Sequence, residues 1–395
     1  MKRFRSFMRQ HSGMMLWAIL AIVLISCLLL YKLGSLTGGL SAGEVAASSA
    51  TVGWHGIYHQ PFYLPLKIVR SVVFFLFSEH GQTLIRLPNV LFGALAILSF
   101  VGLIRLWHGT RTAVLAGLLF ANGAWILHAS RLASFDVLYL WALPTLLLIN
   151  VLLQKYAHRA IVWYGSIIVW GVMLYIPSLV WLVGLNAYLQ RGNLLKGWQY
   201  FRLWWQRTLY LVAGLIWLPL LVKYLLTSAH IITWLGLPPH WAGPVTLLKQ
   251  YAAIPVHLFI RGPQYPQLWL GRAPLVDIFT LAACLIGIYF YAMHWRAARS
   301  RLLGLSAIIG VVLVGLGGPV SFSLLVPLVY IAAAAGLAYL LREWLTVFPR
   351  NPLARGLGLG IIILAVCLSS AYNLKAYFIA WPHNQTTRAT FRYHR

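Results

Sequence analysis

The chain predicts an all-α integral membrane protein, a polytopic bundle of about 11 transmembrane helices. Of its 395 residues, 61% are hydrophobic and 9% are charged, and the mean hydropathy is +0.79. Several apolar runs reach the ~20 residues that a helix needs to cross a bilayer. The 31 Lys and Arg gather in short segments between these runs, whereas Asp and Glu total five. A soluble domain could not bury this much apolar surface. The net charge of +26 would suit nucleic acid, but the cations sit where membrane topology requires them, so no nucleic-acid partner is expected. Membrane lipids, anionic ones included, are the expected surroundings. Cys27, Cys284 and Cys367 all lie within apolar runs, so no disulfide framework is implied.

The first run, 14–33, is too long and leucine-rich for a cleaved signal segment and reads as an uncleaved anchor. The other expected spans are 87–107, 113–129, 136–153, 161–174, 176–190, 208–226, 275–293, 302–317, 319–341 and 356–377. Lys2, Arg3, Arg5 and Arg9 hold the N-terminus in the cytoplasm. Arg105/Arg111, Lys155/Arg159, Arg191/Lys196/Arg202/Arg207, Arg296/Arg299/Arg301 and Arg342/Arg350/Arg355 then fall on that same side. A single helix over 160–189 would be roughly 45 Å long, more than the apolar core of a bilayer. Pro177 divides it, and Gly317-Gly318-Pro319 divides 302–341. Charge demands both breaks independently, because without either one the later basic loops change sides.

This threading makes 1–377 one transmembrane domain with no separate soluble domain. It leaves long outer segments at 34–86 and 227–274 and a short outer C-terminal tail, 378–395. Arg388, Arg392 and Arg395 in the tail run against the charge trend. Glu44, Glu79, Asp136 and Asp277 lie on the outer face or at its edge, and Glu343 stands beside Arg342 in the cytoplasm. Chemistry is therefore expected outside.

Residues 57–78, with Lys67 and Arg70 three apart, read as one or two interfacial helices in the first outer loop. Pro88 suits a first helical turn, where its missing N–H has no partner, so the second span is expected to open there. A short outer turn then carries Arg131 and Asp136. Asp136 and Asp277 each also suit a helix N-cap, which needs no catalytic role. Glu79-His80 is a weak candidate for a divalent metal, since the histidine spacings match no recognised ligand pattern. Most of the 18 Trp suit an interfacial belt. Trp54, Trp234, Trp241 and Trp269 fall in outer loops, within reach of a sugar.

Five elements follow in order on one side: GLSAGE at 39–44, HQPFY at 59–63, RLPNVLFG at 86–93, SRLASFDVL at 130–138 and LGRAPLVD at 270–277. Together they resemble the GT-C glycosyltransferases, in particular the protein-mannosyltransferase-like and aminoarabinose-transferase-like branch. The resemblance is strong over 34–150 and looser beyond. It implies a GT-C bundle, a polyprenyl-phosphate-linked sugar donor on the outer leaflet, and a lipid, glycan or protein acceptor. It implies no definite cofactor and leaves a divalent metal open.

Carried onto this chain, the resemblance makes Glu44 the general base, with Asp136 orienting a substrate. Arg131, Arg86 and Arg272, backed by Lys67, Arg70 and Arg261, would hold the departing phosphate, and His59 and Glu79 complete the substrate-binding set. Two departures stand out. Gly43-Glu44 replaces a common Asp-Glu pair, and PVSFSLLVP at 319–327 lacks a frequent Arg-Tyr. The alternative readings are a transporter or flippase of a lipid-linked glycan and a catalytically inactive relative. The predicted span interiors hold no ionisable residue and no inverted repeat is visible, which weighs against transport.

Overall fold

The computed structural model describes residues 20, 22–49, 62–77, 81–157, 159–193, 204–215, 218, 222, 226, 228–263 and 273–392. Among these, the extended secondary-structure elements are all helices. Gln82–His108, Asp136–Lys155, Ala298–Gly315, Phe322–Val347 and Pro352–His383 are long and apolar enough to cross a membrane. Ala160–Met173, Leu179–Leu189 and Ile278–Met293 are shorter apolar helices. The first expected span is helical over 22–30, and the 208–226 span overlaps the helix Trp204–Leu215. The expected total of 11 spans is not reached by the described helices that meet the length and hydropathy needed.

Three boundaries differ from the sequence reading. The second span opens at Gln82 with Gly81 as N-cap, so Pro88 lies inside the helix rather than at its start. An interior proline forfeits one backbone hydrogen bond. Burial holds these first turns helical nonetheless, since Ile85 is fully buried with Leu40 and Ala133. The third span is broken at Gly123, where Thr110–Asn122 and Ala124–Arg131 meet at 61°. The N–H of Ala124 at this break donates to Oδ1 of Asn373 at 3.2 Å. The third difference is at the C-terminus. The expected tail beyond 377 buries Trp381, Thr387 and Phe391, after a π-helical stretch at Ala376–Ala380.

Both expected breaks are present. The chain leaves helix between Met173 and Leu179 and between Gly315 and Phe322, with Ser178 and Gly317 in the left-handed region at φ 70° and 71°. The hydroxyl of Tyr139 lies 3.3 Å from the carbonyls of both Pro177 and Pro319. One side chain thus ties the two breaks together.

Helix ends gather as the charges require. Trp107, Gln154, Leu189, Arg299 and Arg301 line one cavity of about 270 Å³. Glu44, Asp136, Pro263 and Pro319 line another at the opposite ends of these helices. Ile278–Met293 and Val326–Val347 pack backbone to backbone, because a Cβ on Gly287 would collide with the carbonyl of Ala332 and one on Gly336 with that of Ala283. Small residues are what allow such approach in a membrane. Leu64–Leu76 buries Leu66, Lys67 and Arg70 and leaves Phe75 90% exposed with Val72 and Leu76 beside it, as an interfacial helix would.

Candidate active site

Ser41 and Glu44 form a capping box at the start of Ala42–Ser49. Oγ of Ser41 accepts the N–H of Glu44 at 3.2 Å, and Oε2 of Glu44 accepts the N–H of Ser41 at 3.0 Å. The same carboxylate meets Arg86 through two parallel bonds, Nε to Oε1 at 2.8 Å and Nη2 to Oε2 at 3.0 Å. A fourth donor, the N–H of Ala133, reaches Oε1 at 3.0 Å. Four donors fill the acceptor capacity of a carboxylate. Glu44 is 3% exposed and Arg86 1%, and Arg86 also donates to the carbonyls of Leu33 and Gly39 and to Oγ1 of Thr37.

Asp136 is held differently. It is the first residue of Asp136–Lys155, while Phe135 holds the N-cap position without a side-chain cap, so Asp136 is not the N-cap. It is partly exposed and opens onto the cavity of about 570 Å³ that Glu44 also borders. The hydroxyls of Ser321 and Ser134 lie beside it. The turn that carries it is held from two sides. Glu44 holds Ala133, and Nδ2 of Asn89 donates to the carbonyl of Ser134. Asn89 is itself held by Nη2 of Arg70 at 3.2 Å, whose Nη1 donates to the carbonyl of Ala47 at 2.7 Å.

Aromatic rings form much of the remaining wall. Tyr63 stacks on Phe135 at 4.2 Å with the planes 8° apart, and Trp125 donates through Nε1 to Oγ of Ser323 at 3.0 Å. Tyr63, Trp125, Phe135, Tyr139 and Phe322 all border the cavity. Burial pushes the Tyr63 hydroxyl up to about 12, so it stays protonated and able to donate. Sequence reasoning missed these residues. Phe135 and Tyr139 flank Asp136 in SRLASFDVLYL, and that spacing was the available signal. Trp234 instead donates to the carbonyl of Leu174, and Trp241 is exposed.

Among the described residues, no Lys, Arg or His borders this cavity. Arg86 and Arg70 are buried against protein acceptors. Arg131 is buried, with Nη2 donating to the carbonyl of Tyr31 and its guanidinium over the rings of Tyr377 and Phe378 at 5.3 and 4.8 Å. Lys67 is buried too; burial foremost, then Arg70 beside it, lowers its ammonium to about 8. Arg261 is exposed, two residues before Pro263 of the cavity wall. The N–H of Gly262 donates to the carbonyl of Ala273 at 3.1 Å. His59, Glu79, His80 and Arg272 lie outside the described residues, and no group of three potential metal ligands occurs among the described ones.

Asp277 is the N-cap of Ile278–Met293, accepting from the N–H and Oγ1 of Thr280 and from Ser369 and Asn373. A separate apolar groove of about 690 Å³ runs along Ile278–Met293, Ala298–Gly315 and Val326–Val347, from Leu258 and Leu325 to Trp295 and Arg301. Phe322 borders the cavity and Leu325 the groove, about one helical turn apart.

No protein-family model matches the chain, and no curated protein matches it. Two similar solved structures are both of ArnT from Cupriavidus metallidurans. The apo structure is 15% identical with a TM-score of 0.59, over 95% of this chain and 78% of that one. The structure bound to undecaprenyl phosphate is 14% identical with a TM-score of 0.60, over 94% and 78%. At such identities the likeness is one of fold. The helical architecture of the described residues and this agreement over nearly the whole chain show that the protein shares the fold of these ArnT structures.

Proposed function

We propose that the chain is a membrane glycosyltransferase that moves a sugar from a polyprenyl-phosphate donor to an acceptor hydroxyl, with Asp136 as general base. One observation carries the reading. Of the two carboxylates bordering the cavity, Glu44 is buried under four donors, while Asp136, bonded to Ser321, Ser134 and its own N–H, is the one partly exposed. The acceptor oxygen bonds to the anomeric carbon as its proton passes to Asp136. The bond from that carbon to the phosphate oxygen breaks, and its electron pair leaves with polyprenyl phosphate. A positioned base contributes roughly 10²–10⁴-fold to such a step. Glu44 is thereby assigned a positioning role, holding Ala133 and so the turn that carries Asp136.

The apolar groove suits the prenyl chain, and the undecaprenyl phosphate bound to the ArnT structure is a ligand of that chemistry. Phosphate charge would be met by Arg261, two residues before Pro263 of the cavity wall. The aromatic wall offers flat faces for a sugar. A lipid, glycan or protein hydroxyl satisfies the same chemistry as acceptor. The basic helix ends opposite the cavity favour an outer-face site under the positive-inside rule.

Gly43 favours a second reading, that of an inactive relative, because it borders the cavity where the related pattern carries an acid. Membranes bearing the protein, supplied with radiolabelled polyprenyl-phosphate sugars, decide between the two. Label transfer that Asp136→Asn abolishes supports the enzyme. Transfer indifferent to Asp136→Asn rejects the site, absence of transfer by the unmodified chain supports the inactive relative, and lipid translocation without transfer points to a flippase.

A further inference from the structure

A separate groove of about 830 Å³ lies between the first and last long helices. Cys27, Leu28, Tyr31 and Lys32 border it from one side, and Leu374, Lys375 and Phe378 are among the residues on the other. We propose that it binds an anionic glycerophospholipid, with the lipid phosphate between Lys32 and Lys375 and the start of an acyl chain against Cys27, Leu28 and Leu374.

The groove has the polarity of a single lipid. Its cations sit at the end of the bundle that carries Asp136, since the carbonyl of Tyr31 accepts from Arg131. Cys27 and Leu28 lie about one turn deeper than Lys32, and Ala371 about one turn deeper than Lys375. Among the described residues no carboxylate borders it and offers the two ammonium groups a counter-charge. A lone lysine at a helix end simply extends its charge to the interface. Here two lysines, more than 340 positions apart in the chain, converge on one groove, and Lys32 does so from a left-handed backbone at φ 51° that residues other than glycine seldom adopt. Each basic residue near an anionic headgroup adds about fivefold to binding.

The groove wall also supports Arg131. Tyr31 supplies the carbonyl that Arg131 holds, and Phe378 supplies the ring 4.8 Å from its guanidinium. A lipid seated between the lysines thus fixes both supports of Arg131, five residues before Asp136. This site is distinct from the donor cavity and its apolar groove, which share no lining residue with it.

The full chain in nanodiscs of phosphatidylcholine with phosphatidylglycerol, released and weighed intact by native mass spectrometry, tests the proposal. The expected result is preferential retention of phosphatidylglycerol, reduced about tenfold or more in Lys32→Gln/Lys375→Gln and kept in Lys32→Arg/Lys375→Arg. Inorganic phosphate should not displace the lipid, and Arg342→Gln/Arg350→Gln at the opposite end should leave retention unchanged. Equal retention by the glutamine variant overturns the proposal. So does displacement by inorganic phosphate, or an equal loss in the Arg342/Arg350 variant. Should the glutamine variant fail to fold, retention by the arginine variant is compared between phosphatidylglycerol and phosphatidylcholine, and a lack of preference overturns the proposal equally.

Discussion

Oε1 of Glu44 accepts the backbone N–H of Ala133 at 3.0 Å, across 89 positions of sequence, three residues before Asp136. Ala42–Ser49 thereby grips the turn that presents the second carboxylate. Arg86 grips Glu44 in its turn, so hydrogen bonds join the three elements. Substitutions at the two acids should accordingly fail in different ways.

Asp136→Asn should lower sugar transfer by roughly 10²–10⁴-fold with an unchanged melting temperature in detergent. Glu44→Gln should instead destabilise the fold, because removing one member of a buried ion pair typically costs about 3–5 kcal/mol. A thermal melt of the two purified variants separates these outcomes. Equal melting temperatures would remove the distinction between base and brace.

Asn89 is the second brace. Asn89→Leu leaves the carbonyl of Ser134 and a donor of Arg70 without their partner, at a cost of about 1–3 kcal/mol for each buried group left unsatisfied. Transfer should fall although Asp136 is intact, and proteolysis near 132–136 should quicken. Unchanged activity would mean that the Glu44 contact alone positions the turn.

Gly287→Leu should prevent the close approach of Ile278–Met293 to Val326–Val347, since even a Cβ collides with the backbone of the facing helix. Overpacking in a tight core costs about 1–3 kcal/mol or more, and with main chain on the far side no flexible group can yield. Loss of monodisperse protein on size exclusion, or a clearly lower melting temperature, is the expected result.

Lys67 sets a pH dependence. Burial first, then Arg70, lowers its ammonium from 10.5 to about 8 in the folded protein. Below about 8 both folded and unfolded chains carry the proton, and the full cost of the buried charge is present. Between about 8 and 10.5 the unfolded chain binds more protons, so stability rises with pH. The melting temperature of the wild type should therefore gain on that of Lys67→Met across this window, and parallel profiles would refute the shift.

Much of this was legible in local patterns. The apolar runs, the breaks at Pro177 and Gly317-Gly318-Pro319 and the gathering of basic ends follow from hydropathy, proline geometry and charge, all properties of a few neighbouring residues. The capping box was also readable, as Ser41-Ala42-Gly43-Glu44, and it already tied one carboxylate oxygen to the backbone. The start of the second span was misplaced because burial of Ile85 with Leu40 and Ala133 overrides the preference of proline for a first turn. The bend at Gly123 escaped notice for a like reason, because its freed N–H is met by Asn373 from the far end of the chain.

The sequence by itself determined a many-helix membrane bundle and brought Glu44 and Asp136 forward as the acids to watch. It could not say which of them is partly exposed. That depends on donors distant in the chain, Arg86 and Ala133 for the first, and on the open cavity wall for the second. Hydrogen-bond saturation is a property of three-dimensional neighbours, so only the tertiary structure decided it. The same holds for the cations, where folding turned Arg70 and Arg86 from apparent ligands for phosphate into braces for the chain.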